Sequence, residues 1–475
     1  MTRFTSALLA TASAVALAGP PAHAARPHYG GTLSVQIDGT IRSLDPNDPG
    51  AGTAARVLPL MFETLVVADG DGGLRPSLAT SWERDAGSNR WRFHVRQGVK
   101  LHDGSTLEPA QVAAVLATQE RGWNVLSDGD AVVVEPQPPQ SDLPWTLSEP
   151  RYAVAIRTAS GAAVGTGPFQ LESLSPSRIR LRAHDGYWGA RAFVDAVQIE
   201  QGTALRDQLT NLEGGRTDIV SVRPTDVRRL TDRGLRTATS RPLVLFALVF
   251  EPYRAQSADD VVRAALTASI DRATLSAVLL QHQAEPAMAF LPAWLSGYAP
   301  LLKKEAPRRA PPRAAVSALP ADRRSLSLRV ESADPIARTI AERIVVDARE
   351  GGLTVTVQVP AAGALAPRPD VRLVRVPVTA TTPERALARV AQALGPRAIG
   401  LVTHDPLPPP GAPLETVLHM ERTLLAYDVL LPIVHVADVY GLGDRVESWG
   451  EPLVLPTGAW NFAGAWLRGD RAGAP

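Results

Sequence analysis

The chain has 475 residues and carries 49 Lys+Arg against 48 Asp+Glu, a formal net charge of +1. A balance this even argues against a nucleic-acid binder, and a hydrophobic fraction of 45% is that of a globular chain rather than a disordered one. The absence of cysteine excludes a disulfide scaffold, a thiolate zinc site, an iron–sulfur centre and a cysteine nucleophile, and the length calls for two or more lobes.

Residues 1–24 read as a secretory signal peptide. Arg3 gives the positive start, Phe4 to Gly19 is uncharged, and Pro20-Pro21 precedes the small-x-small site Ala22-His23-Ala24. The apolar run is about 16 residues, short of the roughly 20 that a spanning helix needs. The expectation is cleavage near Ala24 and a mature chain outside the cytoplasm, in the periplasm of a cell that has one, without membrane insertion. A retained anchor is the alternative.

From there to residue 250 the chain is strand-rich. Thr32 to Ile37 alternates, and Arg90 to Arg96 is strictly polar/apolar, the pattern of a sheet with one wet face. Ala131 to Val134, Tyr152 to Ile156, Arg178 to Arg182 and Val194 to Ile199 read the same way. Two helices are expected, over Thr53–Leu65 and Glu108–Thr118. A long helix follows over Asp259–Leu280. Ser325 to Val330, Pro335 to Glu350 and Leu353 to Val359 then give strand, helix and strand, a βαβ unit with a parallel pair. Val371 to Val378 (strand), Pro383 to Leu394 (helix) and Ala398 to Val402 (strand) continue the α/β rhythm. Lys303, Lys304, Arg308, Arg309 and Arg313 lie in a Pro-rich solvated loop. After Leu430 the strands Leu431–Val436 and Arg445–Trp449 rejoin the first sheet. The boundaries are therefore lobe 1 over 25–250, lobe 2 over 251–430, and a return to lobe 1 over 431–475. Two crossovers make a hinge, and a hinge makes a cleft that closes on a ligand.

Catalytic and cofactor signatures are missing: there is no nucleophile elbow, zinc helix motif, P-loop or dinucleotide fingerprint. The nine histidines are scattered, and none has another at helical metal-pair spacing. His102-Asp103-Gly104 reads as a turn joining a strand to a helix. The expectation is no enzyme, no catalytic residue, no metal and no cofactor.

Several stretches form an ordered set. Gly30-Gly31-Thr32-Leu33 is followed by Ser43-Leu44-Asp45-Pro46, Met61 to Val66, Arg75 to Glu83, Trp91 to Gly104, Gly165 to Phe169, Tyr187-Trp188-Gly189, Val262 to Leu266 and Ser269 to Arg272. In this order and spacing the chain resembles the extracytoplasmic solute-binding proteins of peptide/nickel-type (family 5) ABC importers. The resemblance implies a two-lobed α/β periplasmic binding protein (Venus flytrap) fold with two interlobe crossovers. It also implies capture of an oligopeptide or similar extended solute in the cleft, and delivery to an ABC permease and its ATPase subunits. By position it puts Gly50, Ala51, Gly52 and Thr53 against the ligand backbone, and Thr379 and Thr381 on the opposing lobe. Trp294 and Tyr298 are either stacking or packing aromatics.

Two departures from the family stand out. Only about 60 residues separate His102 from Gly165, where relatives insert a small domain. The stretch Arg375 to Pro383 lacks the tryptophan and aspartate with which peptide binders hold an amino terminus, and an ammonium without a carboxylate loses much of its compensation. A nickel chelate, a non-transport scaffold with a decayed cleft, and a periplasmic enzyme stay open.

Overall fold

The computed structural model describes residues 27–46, 53–69, 73–159, 161–251, 260–304, 311, 313–331, 334–358, 368–426 and 428–468. The signal-peptide reading of 1–24 and the positions Gly50, Ala51 and Gly52 lie outside them.

Strand β1 (Thr32–Gln36) opens the described chain. A small antiparallel sheet comes next, made of β2 (Ala79–Arg84), β3 (Trp91–Val95), β4 (Asn124–Asp128) and β5 (Ala131–Glu135), in the order β2-β3-β5-β4. The alternation that marks β3 in the sequence buries Phe93 and Val95 and leaves Arg92 and His94 wetter. Helix α1 (Pro109–Gln119) covers this sheet, closed at its start by the reciprocal Glu108–Gln111 capping box. Together they form a separate core running from Leu65 to Val154.

The chain then builds β6 (Phe169–Leu174), β7 (Arg178–Ala183), β8 (Ala196–Glu200), helix α2 (Leu205–Glu213), β9 (Ile219–Val222) and the 15-residue β10 (Arg236–Phe250). Helix α3 (Asp260–Ser269) leads to β11 (Ser325–Val330), α4 (Pro335–Glu350), β12 (Thr354–Gln358), β13 (Val371–Pro377), α5 (Pro383–Leu394), α6 (Leu414–Leu425) and the 13-residue β14 (Leu430–Leu442). The expected parallel pairing holds: β11 lies parallel to both β12 and β13. Asp334 caps α4 by accepting from the Ile336 amide at 2.9 Å, and its buried stripe of Ala337, Ile340, Ala341, Ile344 and Ala348 follows helical spacing.

Among the described residues one mixed sheet of eleven strands runs through both lobes, in the order β6-β7-β8-β1-β9-β14-β10-β13-β11-β12, with Ala284–Pro286 paired beside β14. Both long strands pass from one lobe to the other. Val439 to Leu442 of β14 pairs with β9 and with Arg236 to Thr239 of β10, whereas Leu430 to Val436 pairs with Val244 to Val249. Between these blocks the register shifts on either side of Pro242, which has no N–H to give the ladder. The packing changes at the same place. One hydrophobic cluster runs from Val244 to Val436, and another takes Leu33 to Leu243 together with Tyr440 to Leu467. No described helix is long and apolar enough to cross a membrane.

Five local expectations fail. Thr53–Leu65 is two short 3-10 turns, Thr53–Arg56 and Leu58–Leu60, with Pro59 inside the second. The long helix stops at Ser269, because Asp271 accepts from the Thr274 amide at 2.9 Å and starts a new turn. Tyr152–Ile156 is a 3-10 turn, Pro150–Tyr152, followed by a two-residue strand at Ile156–Arg157. Ala398–Val402 is the end of a helical turn, Pro396–Gly400, which Gly395 (φ 99°) and Pro396 initiate. Likewise Arg445–Trp449 contributes only Val446–Ser448, paired with Trp466–Leu467 rather than with the main sheet.

Candidate functional site

Parallel strands deliver their following loops to one edge of a sheet, and an open α/β fold binds ligands there. Here the ends of β1, β9 and β11 open onto one cavity of about 540 Å³ between the two lobes. Ile37 and Asp38 follow β1, Ser221 to Pro224 end and follow β9, and Asp334 to Ile336 follow β11 and begin α4. Val244, Phe246 and Val436 to Tyr440 of the crossing strands form the floor, with Arg56, Gln208, Arg375 and Trp460 around them.

The polar groups of the wall are organised around the hinge. Arg56 donates to the Asp438 carboxylate at 2.6 Å and to the Tyr440 hydroxyl at 2.7 Å, and Trp460 Nε1 donates to the same hydroxyl at 2.9 Å. Burial opposes the Arg56 charge, but Tyr440 and Asp438 more than offset it and hold the guanidinium above its ordinary pKa. The Asp438 amide donates to Ser240 Oγ at 2.9 Å, which ties this network to the register shift. On the facing lobe Arg375 pairs with Asp334 at 3.1 Å, and at the end of β9 Arg223 pairs with Asp226 at 2.7 Å.

A second polar contact joins the lobes away from the cavity. Arg385 of α5 donates to Glu149 at 2.6 Å, to Asp142 at 2.8 Å and to Thr146 Oγ1 at 2.6 Å, all three on the segment beneath the small sheet. The side chains of Arg385, Asp142 and Glu149 keep only 10%, 6% and 10% of their exposure. Arg389 approaches Glu149 at 3.7 Å from the next turn.

The site residues expected from sequence fall into three places. Thr53 begins the 3-10 turn that ends at Arg56, so its segment leads into the cavity wall. Thr379 sits on the loop after β13 beside Gly458, whose φ of 87° turns the returning chain towards it. Thr381 is buried on the same loop, with its hydroxyl unpartnered. Neither Thr379 nor Thr381 lines the 540 Å³ cavity. The two candidate aromatics pack: Trp294 Nε1 donates to the Pro242 carbonyl at 2.8 Å, and buried Tyr298 donates to Glu421 at 2.6 Å.

Much of the sequence signature forms a knot inside the first lobe. Tyr187 Oη and Trp188 Nε1 each donate to Glu63 at 2.9 Å, and burial raises the pKa of that carboxyl against these hydrogen bonds. His102 and His184 meet edge to face at 5.0 Å and both donate to the Gly167 carbonyl, at 3.1 and 3.2 Å. Burial lowers His102 to about 4, so it is neutral, with Nδ1 accepting from the Gly165 amide. A Cβ on Gly165 would stand 2.2 Å from the Met61 carbonyl oxygen, which is why glycine is needed there. The His102-Asp103-Gly104 turn is as expected: Gly104 has φ 86°, and Asp103 accepts from the Ser105 amide at 3.0 Å.

Sequence reading did not single out Asp38, Arg56, Gln208, Asp334 or Asp438. The usable signal was their place just past strand ends or on the crossing strands, which needs the parallel topology first. Among the described residues no group of three or more His, Asp or Glu is set to hold a metal ion.

The sequence profile of bacterial extracellular solute-binding proteins, family 5 Middle, matches residues 73–382, more than half of the chain. The dipeptide-binding protein of Escherichia coli is 24% identical over 317 residues, covering 56% of this chain and 59% of that protein. The chain spans about three fifths or less of the curated relatives it matches. NikA from Brucella suis, solved with Fe(III)-EDTA, superposes with a TM-score of 0.75 at 19% identity, covering 92% of this chain and all of NikA (100%). DppA from Helicobacter pylori, solved with the peptide STSA, gives 0.70 at 16% identity, covering 93% and 98%. At such identities the solved structures speak to the fold, and it is that of two-lobed α/β binding proteins. The chain belongs to the bacterial extracellular solute-binding proteins, family 5.

Proposed function

We propose that this protein captures an extended solute of the oligopeptide class between its lobes and hands it to a membrane permease driven by ATPase subunits. The carrying observation is the cavity itself. It lies between lobes joined by two strands, its walls come from both lobes, and about 540 Å³ falls within the usual range for small-molecule sites. A relative named for dipeptide binding and a structural neighbour solved with a peptide support the solute class. The family's place outside the cytoplasm supports export, with removal of residues 1–24.

In this reading the lobes exchange within β10 and β14, close to Pro242 and Asp438, a few residues inside the 250 and 430 boundaries read from sequence. Gly50, Ala51, Gly52 and Thr53 from the first lobe and Thr379 and Thr381 from the second are the proposed contacts to the solute. Function is then a change of shape: binding energy is collected when the lobes meet on the ligand. Small-angle scattering of the mature protein with a defined peptide pool tests this. Compaction on ligand addition is the expected result, with recovery of a permease from solubilised membranes. A scattering curve unchanged by every pool, with only soluble proteins recovered, would favour the scaffold reading instead.

A further inference from the structure

The cavity wall carries six charged side chains among the described residues: Asp38, Arg56, Arg223, Asp334, Arg375 and Asp438. Five are matched within the protein, through the pairs Arg56–Asp438 and Arg375–Asp334 and through Arg223 with Asp226. Asp38 is the exception. It sits two residues past β1, exposed to the cavity, and among the described residues its carboxylate has no ion pair or hydrogen bond.

A second acceptor in the same wall also lacks a donor. Gln208 on α2 is fully buried; its Nε2 donates to the Thr203 carbonyl at 2.7 Å, and its Oε1 has no partner. The loop entering α2 is bonded to the segment that carries Asp38. The Gly202 amide donates to the Gly39 carbonyl and the Thr203 amide to the Ile37 carbonyl, each at 3.1 Å. Residues about 170 positions apart therefore share one patch, and it offers acceptors only.

We propose that Asp38 and Gln208 form a cation subsite on the first lobe that takes a primary ammonium group of the solute. The proposal rests on the import reading above and names the ligand chemistry within it. An unmatched carboxylate stays stable while the cleft is wet. When the lobes close and water leaves, it needs a counter-charge that can donate. An ammonium suits better than a guanidinium because one nitrogen carries three donors and serves two acceptors from a single point. With Arg56, Arg375 and Arg223 each matched, Asp38 carries the one unmatched charge of the wall among the described residues, so a cationic group is drawn to this place rather than to Asp334 or Asp438.

The test is titration calorimetry on the mature wild-type protein and on Asp38→Asn, which changes an exposed side chain that no other group holds. Four probes separate the possibilities: tetraalanine, N-acetyl-tetraalanine, an N-acetylated tetrapeptide containing one lysine, and 1,4-diaminobutane. Wild type is expected to bind an amine-bearing peptide about tenfold to a hundredfold more tightly than N-acetyl-tetraalanine. Asp38→Asn is expected to lose that factor and to bind the acetylated peptide as wild type does. Preference for tetraalanine assigns the ammonium to the chain terminus, and preference for the lysine peptide assigns it to a side chain. Amine-bearing peptides that bind equally well to Asp38→Asn overturn the subsite and leave the import reading standing. Asp38-dependent binding of 1,4-diaminobutane without any peptide binding overturns the peptide class and keeps the subsite. Binding of none of the four overturns both.

Discussion

Replacing Arg385 by alanine should open the protein rather than unfold it. In the structure this guanidinium is held between Asp142 and Glu149 with a third bond to Thr146, and all three charged side chains are nearly buried. Removing one partner of a buried ion pair costs about 3 kcal/mol or more, because the remaining charge is left without water or counter-charge. Here Asp142 would be stranded, while Glu149 keeps Arg151 at 3.4 Å and Arg389 at 3.7 Å, but separating the lobes rehydrates Asp142. The closed arrangement should therefore lose about 3 kcal/mol relative to the open one, roughly 150-fold in their ratio. Scattering from ligand-free Arg385→Ala should show a larger radius of gyration than wild type. Ligand affinity should fall in proportion to the closed fraction. Adding Asp142→Asn to the same chain removes the stranded charge and should restore much of the compaction. A variant whose scattering and affinity match wild type would refute the reasoning, as would loss of the folded signal without any opening.

Glu421 offers a pH signature. Burial raises its carboxyl from the ordinary 4.5 to about 7, against hydrogen bonds from Tyr298, Leu291 and Phe290. The folded state thus prefers the protonated acid. Its contribution, about 3 kcal/mol, is full below the unfolded value and is lost as pH rises through about 7. Glu421→Gln should remove that loss, so the difference in thermal midpoint between wild type and variant should change across this window; a constant difference would count against it. His102 and His435 act oppositely. Burial takes each from 6.5 to about 4, so their contribution is present above 6.5 and lost as pH falls through about 4. His435→Gln should accordingly flatten the acid limb of a stability profile. Gly167→Ala should destabilise the first lobe severely, since its Cβ would lie 2.5 Å from the Leu60 carbonyl oxygen; circular dichroism melting checks this, and an unchanged midpoint would show that the backbone there can yield.

The strands and helices that the sequence announced are those whose burial has a period. Trp91–Val95, Ser325–Val330 and Pro335–Glu350 each carry one wet and one dry face, so their side-chain pattern is local information. The misread segments are those in which a single residue outweighs the pattern, such as Asp271 capping a new turn inside an apolar run. The ordered signature was legible for a related reason: Glu63, His102, Gly165, Gly167, Tyr187 and Trp188 hold one another, and each has few alternatives. Those residues report the fold. The cavity was not legible, because whether Asp38 is matched and Asp334 is not free depends on neighbours far away in the chain. A carboxylate looks the same in sequence whether or not an arginine waits beside it.

The crossing strands carry a mechanical consequence. Two stiff plates share a narrow compliant strip where the ladder skips around Pro242, and the strip is itself part of the sheet. Such a joint resists sliding and stretching while it yields to bending along one line. The rims should therefore come back to the same place at every closure, whatever cargo sits between them, so that a docking surface made of both halves would be reassembled faithfully each time.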